Sequence, residues 1–297
     1  LSLRRQRQMC IRDRIVGYGQ WTDVVSVSSV GESLYNFYGF VCDGVYKDLE
    51  DLQTSPKPAK YPANGVFDRT NTVWVGDVKY KDISGPDGVP DGVIDDYDKT
   101  NIGSPMPKFT FGWTNTFRYK NFDLSVFING SYGNKVYNYL SMKLTHMNSP
   151  WTNQLNAVNG RAQLVPINPN KVYEDGTMWY NDVSNVMVAN PGASIPRATI
   201  NDPNDNDRIS DRYIEDGSYI RLKNISLGYT FPKKTIDKLG LSNLRIYANI
   251  QNLLTITGYD GYDPEIGAST SSVNVYGLDN GRYPSPTVYS FGLNVSF

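Results

Sequence analysis

From Thr287 to Phe297 the chain alternates strictly. Tyr289, Phe291, Leu293, Val295 and Phe297 are interleaved with Ser290, Gly292, Asn294 and Ser296. Side chains on an extended backbone point alternately to opposite sides, so this is a strand with one apolar and one small polar face. Phe109, Phe111, Trp113, Phe117 and Tyr119 alternate in the same way with Thr110, Gly112, Thr114, Thr116 and Arg118. Phe122, Leu124, Val126 and Ile128 follow after a two-residue link at 120–121, which predicts a hairpin. Ile225, Leu227, Tyr229 and Phe231 form another such run, as do Leu244, Ile246, Ala248 and Ile250. A weaker strand is expected from about Leu34 to Tyr46. The fold class is therefore all-β with about six strands. A short helix is expected over 233–239, stopped by Gly240.

The links between strands matter as much as the strands. Those at 120–121 and 232–242 are short. Those at 47–107, 133–218 and 257–286 are long. Compact soluble domains seldom carry structureless loops beyond ~12–15 residues. A transmembrane β-barrel has this asymmetry, with short turns on one side and long loops on the other. The faces agree. Their polar sides carry mainly Gly, Ser, Thr and Asn, where a solvated sandwich face would carry more Lys and Glu. Arg221 and Lys223 break the phase of their strand, so residues 219–223 are expected to stand above the membrane rim. About six strands cannot close a membrane barrel, and an unpaired edge in lipid is prohibitive, so the sheet is expected to be part of a larger one.

The composition excludes other classes. Lys and Arg total 29 against 30 Asp and Glu, with no basic stripe, which argues against nucleic acid. A single histidine, His146, leaves little room for triad or zinc chemistry. No apolar run approaches the ~18 residues of a membrane helix. Residues 1–14, LSLRRQRQMCIRDR, are unlike the rest. They lack the apolar stretch and cleavage site of a secretory signal. A basic arm is one reading. The run QRQMCIRDR resembles translated sequencing-adapter sequence, so 1–14 is read as non-native and the chain is expected to continue upstream.

Four segments carry a family resemblance: FYGFVCDGVYKD at 37–48, GDVKYKDISGPDGVPDGVIDDYDKTNIGSPMPKFTFGWTNTFRYKNFDLSVFINGSYGN at 76–134, DGSYIRLKNISLGYTFPKKTIDKLGLSNLRIYANIQNLLTITGYDGYDPEIG at 216–267, and YPSPTVYSFGLNVSF at 283–297. In this order they resemble the C-terminal third of SusC/RagA-type TonB-dependent outer-membrane transporters of the Bacteroidota. The resemblance implies that 15–297 is the C-terminal part of an antiparallel barrel of about 22 strands with long extracellular loops. The plug and N-terminal extension would lie outside it. It implies TonB-energised import of oligosaccharides or peptides without covalent chemistry. The implied partners are a SusD-like surface lipoprotein, TonB-ExbB-ExbD through the absent N-terminal part, outer-membrane lipid and the barrel-assembly machinery. Tyr289, Phe291, Leu293, Val295 and Phe297 are similar to the family's assembly signal. The alternative is a secreted β-rich carbohydrate-binding domain. An enzyme has almost no support.

One motif suggests a metal. Asp87, Asp91, Gly92, Val93, Asp95 and Asp98 approach the twelve-residue calcium loop, with Val93 giving its carbonyl at position 7. Val89 stands where position 3 wants an oxygen, and Asp98 replaces the longer Glu. Calcium here would stiffen a loop; the other reading is a solvated acidic turn. Trp151, Trp179 and Tyr180 are candidates to stack on a substrate or a lid, or else to pack the loop on itself. His146, the acids of 202–207 and those of 260–265 are read as solvated loop residues, and Asp95-Asp96 as no catalytic pair.

Overall fold

The computed structural model describes residues 14–17, 25–266 and 276–297. The adapter-like segment lies outside these residues except for Arg14, and Cys10 with it. Five long strands form one antiparallel sheet in sequence order: Phe109–Tyr119 (β1), Phe122–Tyr132 (β2), Tyr219–Thr230 (β3), Asn243–Thr257 (β4) and Val288–Ser296 (β5). The turn from β1 to β2 is the two-residue link, with Lys120 at φ 52°. The expected helix is present as Lys233–Ile236 followed by a 3-10 turn, and it ends at Gly240 with φ 69°.

The alternation becomes rows across the sheet. Phe117, Leu124, Leu227, Ala248 and Phe291 stand side by side over all five strands. Tyr119, Phe122, Tyr229, Ile246 and Leu293 form the next row. On the reverse face Thr116, Ser125, Ser226, Asn249 and Ser290 are aligned. Cross-strand aromatic contact reinforces the apolar face, as between Phe122 and Tyr229 at 4.6 Å between ring centres. That face is uncovered: Phe291 is 83% exposed and Phe117 55%. An apolar surface this large on a water-soluble monomer is abnormal.

The register explains the break of phase at 219–223. β3 pairs through Tyr219–Leu222 on both sides, and the register slips between Leu222 and Asn224 against both neighbours. The extra residue is Lys223 relative to β2; on β4 it is accompanied by Asn252 at φ 51°. A bulge absorbs one residue and restores the alternation. Ile220 and Leu222 therefore share the apolar face with Ile225 and Leu227, and 219–223 is continuous strand.

The long links are folded, not structureless. Val45, Tyr46, Leu52, Val73, Trp74, Val75, Val186 and Val188 build one buried cluster. Phe37, Tyr137, Met142 and Tyr213 build a second, and Phe40, Val78, Tyr80 and Ile94 a third. All of these residues lie outside β1–β5. Each fully buried Leu or Val there stabilises by ~1.5–3 kcal/mol. The chain thus has two parts: a sheet that keeps no core of its own, and a loop lobe that has one. The expected strand at 34–46 belongs to the lobe. It breaks into Asn36–Gly39 and Cys42–Val45, which join different small sheets. Phe37, Phe40, Val45 and Tyr46 are all buried, so this segment is covered on both sides, and Gly44 at φ 85° interrupts its pairing. Among the described residues the long sheet is open, with β1 and β5 at its edges, and no closed barrel is formed.

Candidate functional site

The loop lobe and the polar face of the sheet hold the chain's concentrated polar chemistry. In the 87–98 loop, Asp98 is fully buried. Its Oδ1 accepts from the backbone N–H of Ile83 (2.8 Å) and Ser84 (3.2 Å), and its Oδ2 from that of Asp95 (2.8 Å). Asp95 accepts from Tyr97 N–H at 2.8 Å, completing a reciprocal cap on the 3-10 turn Asp96–Asp98. Asp91 accepts from Val93 N–H at 2.9 Å, and Asp87 is exposed. No three carboxylates of this loop bring oxygens within 4.8 Å of one another; among the described residues only His146, Asp202 and Asp207 do so as a group. Asp91, Asp95 and Asp98 brace backbone in this arrangement.

The aromatic candidates separate. Trp151 is 90% exposed. Trp179 packs against the first buried cluster. Tyr180 meets Trp179 edge-on at 5.6 Å and carries the Arg69 guanidinium over its ring at 4.9 Å. Tyr289, Phe291, Leu293, Val295 and Phe297 all project from one face of the edge strand β5 or its end, and all are exposed.

His146, Asp202 and Asp207 are drawn into one ion cluster, whereas Asp205 stays exposed as expected. His146 Nε2 lies 2.7 Å from Asp202 and Nδ1 3.1 Å from Asp207. Burial alone would lower the pKa of this ring; the two carboxylates outweigh it and raise the pKa to about 9. With both nitrogens holding protons at neutral pH, the ring donates and has no lone pair for a metal. Asp202 accepts from Asn206 N–H at 2.9 Å, and Asn206 Nδ2 reaches Asp77 at 3.2 Å. Asp77, fully buried, pairs with Arg197 Nε at 2.8 Å. An unbroken polar chain from Arg197 to Asp207 therefore ties the 47–107 link to the 133–218 link. Asp202 and Asp205 sit at φ 38° and 51°, conformations that Asp tolerates better than most residues. The density of Asn and Asp around Pro203 was the available signal, and it reads equally as a solvated run.

Of the acids of 260–265, Asp260 is exposed as expected, but Asp263 is not. Asp263 is 4% exposed and bonded to Arg221, which is also buried. Arg221 Nη1 lies 2.6 Å from Glu265, and Lys223 Nζ 2.8 Å from the same oxygen. Burial raises the pKa of Asp263, but N–H donors from Ser285 and Glu265 and the Arg221 guanidinium bring it to about 2. Arg221 thus clamps the link after β4 onto the polar face. A cleft of about 1030 Å³ in the lobe is floored by Phe40, Ile94 and Met142 and rimmed by Asp95, Lys99 and Arg208. A volume of this order suits a bound ligand. Among the described residues, no helix is long and apolar enough to cross a membrane.

No family model matches the chain. It is 32% identical to TonB-dependent receptor P3 of Formosa agariphila over 272 residues, which is 90% of this chain and 22% of that protein. It is 32% identical to TonB-dependent receptor P26 of the same organism over 276 residues, 90% of the chain and 23% of the relative. TonB-dependent receptor SusC of Bacteroides thetaiotaomicron is 29% identical over 209 residues, 69% of the chain and 17% of SusC. The chain thus spans less than a quarter of each of these relatives. In fold it is similar to a solved structure of the RagAB peptide importer in its open-open state, with a TM-score of 0.58 at 18% identity, covering 95% of this chain and 24% of that one.

Proposed function

The chain belongs to the SusC/RagA-type TonB-dependent receptors, and on that premise we propose that its five-stranded sheet is part of the wall of an outer-membrane importer. The observation that carries this reading is the sheet itself. Its apolar rows are exposed, its opposite rows are small and polar, and the buried clusters lie in the lobe outside the five strands. A barrel wall turns apolar residues to lipid and polar ones to the lumen. The loop lobe then stands outside the membrane, where ligand and partner meet the protein. The imported material is an oligosaccharide or a peptide. A SusD-like lipoprotein covers the lobe, TonB-ExbB-ExbD supplies energy through parts of the receptor beyond this chain, and the barrel-assembly machinery reads the alternation ending at Phe297.

Import without covalent chemistry needs binding groups and moving parts. The cleft and the charged clusters of the lobe supply the binding surface in this reading. Calcium on Asp87, Asp91, Val93, Asp95 and Asp98 belongs to the proposal as a stiffener of the external loop. It requires Asp95 and Asp98 to exchange backbone N–H groups for the metal.

The test is solubility and uptake. A protein extracted from membranes only by detergent, with labelled oligosaccharide or peptide taken up by cells carrying the full-length receptor and uptake stopped by collapsing the proton gradient, fits the proposal. A monomer in plain buffer that binds glycan would instead make the chain a secreted carbohydrate-binding domain.

A further inference from the structure

We propose that Arg69 and Arg197 form an oxyanion site in the loop lobe, fitted to a carboxylate or sulfate group on a ligand. The two side chains line one cavity of about 340 Å³, with Thr70, Thr199, Ile200 and Asn201 around it. Arg197 is 4% exposed. Its Nε faces Asp77, and its Nη2 donates to Asp77 and to the Arg69 carbonyl, both at 3.2 Å. Its Nη1 has no acceptor. Arg69 lies with its guanidinium over Tyr180, and its Nε also has no acceptor.

A buried charged donor without an acceptor is rare in a folded protein and asks for an explanation. Both belong to arginines that line one cavity, and an acceptor group held in that cavity would answer both. Charge points the same way. Asp77 neutralises Arg197, whereas Arg69 has no ion-pair partner among the described residues. Asp68, the nearest acid in sequence, directs its carboxylate to Thr70 and Asn71. The cavity therefore faces one unbalanced cation. A guanidinium fork matches the paired oxygens of a carboxylate or sulfate better than any neutral group. The Tyr180 ring keeps Arg69 in one plane, which reduces the ordering cost of binding. Thr70, Ile200 and Asn201 at the rim are exposed, so the site opens to solvent. That the ligand is an imported one rests on the importer reading; the site itself does not.

The chain in detergent micelles is titrated with sodium sulfate and separately with sodium glucuronate, against sodium chloride at equal ionic strength. Calorimetry and tryptophan emission read the binding, since Trp179 touches Tyr180. Saturable binding of either anion is expected, weakened about tenfold or more in Arg69→Gln and in Asn201→Asp. Asn201→Asp keeps both arginines and places a negative charge at the rim, so an unchanged melting curve separates it from misfolding. Binding of sulfate alone assigns the site to sulfate esters, and of glucuronate alone to carboxylates. Failure of both anions to saturate, or parental affinity in Asn201→Asp, overturns the site. Anion binding intact, with no uptake by cells carrying the full-length receptor, would count against the importer reading instead.

Discussion

Arg245 and Asp123 meet across Gly228. Arg245 Nη2 lies 2.6 Å from Asp123 Oδ2, and a Cβ on Gly228 would fall 2.6 Å from the Asp123 carboxylate and closer still to the guanidinium. The pair spans β2, β3 and β4 on the polar face, and the missing side chain between them makes room for it. Gly228→Val is therefore expected to separate the pair. A double-mutant cycle with Arg245→Met and Asp123→Leu should give a coupling of about 1 kcal/mol in the parent, given that both side chains are partly exposed. In the Gly228→Val background the coupling should vanish. Coupling that survives would show that the pair does not need the gap.

The two faces of β3 should respond oppositely to charge. Leu227→Arg on the exposed apolar face is expected to cost roughly 2–4 kcal/mol in a folded, lipid-embedded protein. Ser226→Arg, on the polar face, should cost far less. Urea unfolding from lipid vesicles measures both. Equal costs would contradict the assignment of lipid to the apolar rows.

Arg221 holds Asp263 in a buried place. Arg221→Met leaves that carboxylate without its cation, at a cost of about 3–5 kcal/mol. Hydrogen exchange over 258–266 should rise sharply in this variant and less in Arg221→Lys. Asp263 is held at about 2 in the folded state, below its ordinary value. Its contribution is therefore complete above about pH 4 and is lost as the pH falls through about 2. Protection of this segment should follow that window in the parent.

The His146 cluster has the reverse sign. Its pKa is raised from 6.5 to about 9, so its stabilisation is complete below about pH 6.5 and is lost as the pH rises through about 9. With partial solvent screening the loss is on the order of 2 kcal/mol. Protease resistance of the lobe should fall between pH 6.5 and 9.5 in the parent. It should be lower and flat in His146→Leu. A parent profile that is flat over this range would mean the ring is not the held cation.

Asp98→Ala removes the acceptor of three backbone N–H groups at once, with an expected loss of about 2–3 kcal/mol in the 81–100 loop. Calcium is read in the same segment. Protection at 85–100 that falls on chelation, and is absent in Asp91→Ala and Asp95→Ala, supports the metal. Protection indifferent to chelator leaves the carboxylates as backbone caps alone.

The strands were legible because each carries its own information. Phe109–Tyr119 shows its two faces in eleven consecutive residues, and no partner is needed to see them. The turn at 120–121 and the helical turns ending at Gly240 are equally local. The stretch 34–46 misled for the same reason. Its apolar residues alternate loosely, but Phe37 and Phe40 are buried by Tyr137 and Tyr80, partners about 100 and 40 residues away. Arg221 and Lys223 read as a break of phase because a bulge cannot be seen without the neighbours that define the register.

Charge was the least legible property. Asp202 and Asp207 read as a surface run in the chain, starting 56 residues from His146, and the three form a closed ion cluster in the fold. Arg69 and Arg197 are far apart until the two long links pack together. A period of two is set by the geometry of one extended backbone, so the sequence alone determines strands and faces. Burial of a charge depends on which distant segment supplies its counter-charge and displaces its water. Only the tertiary structure decides that.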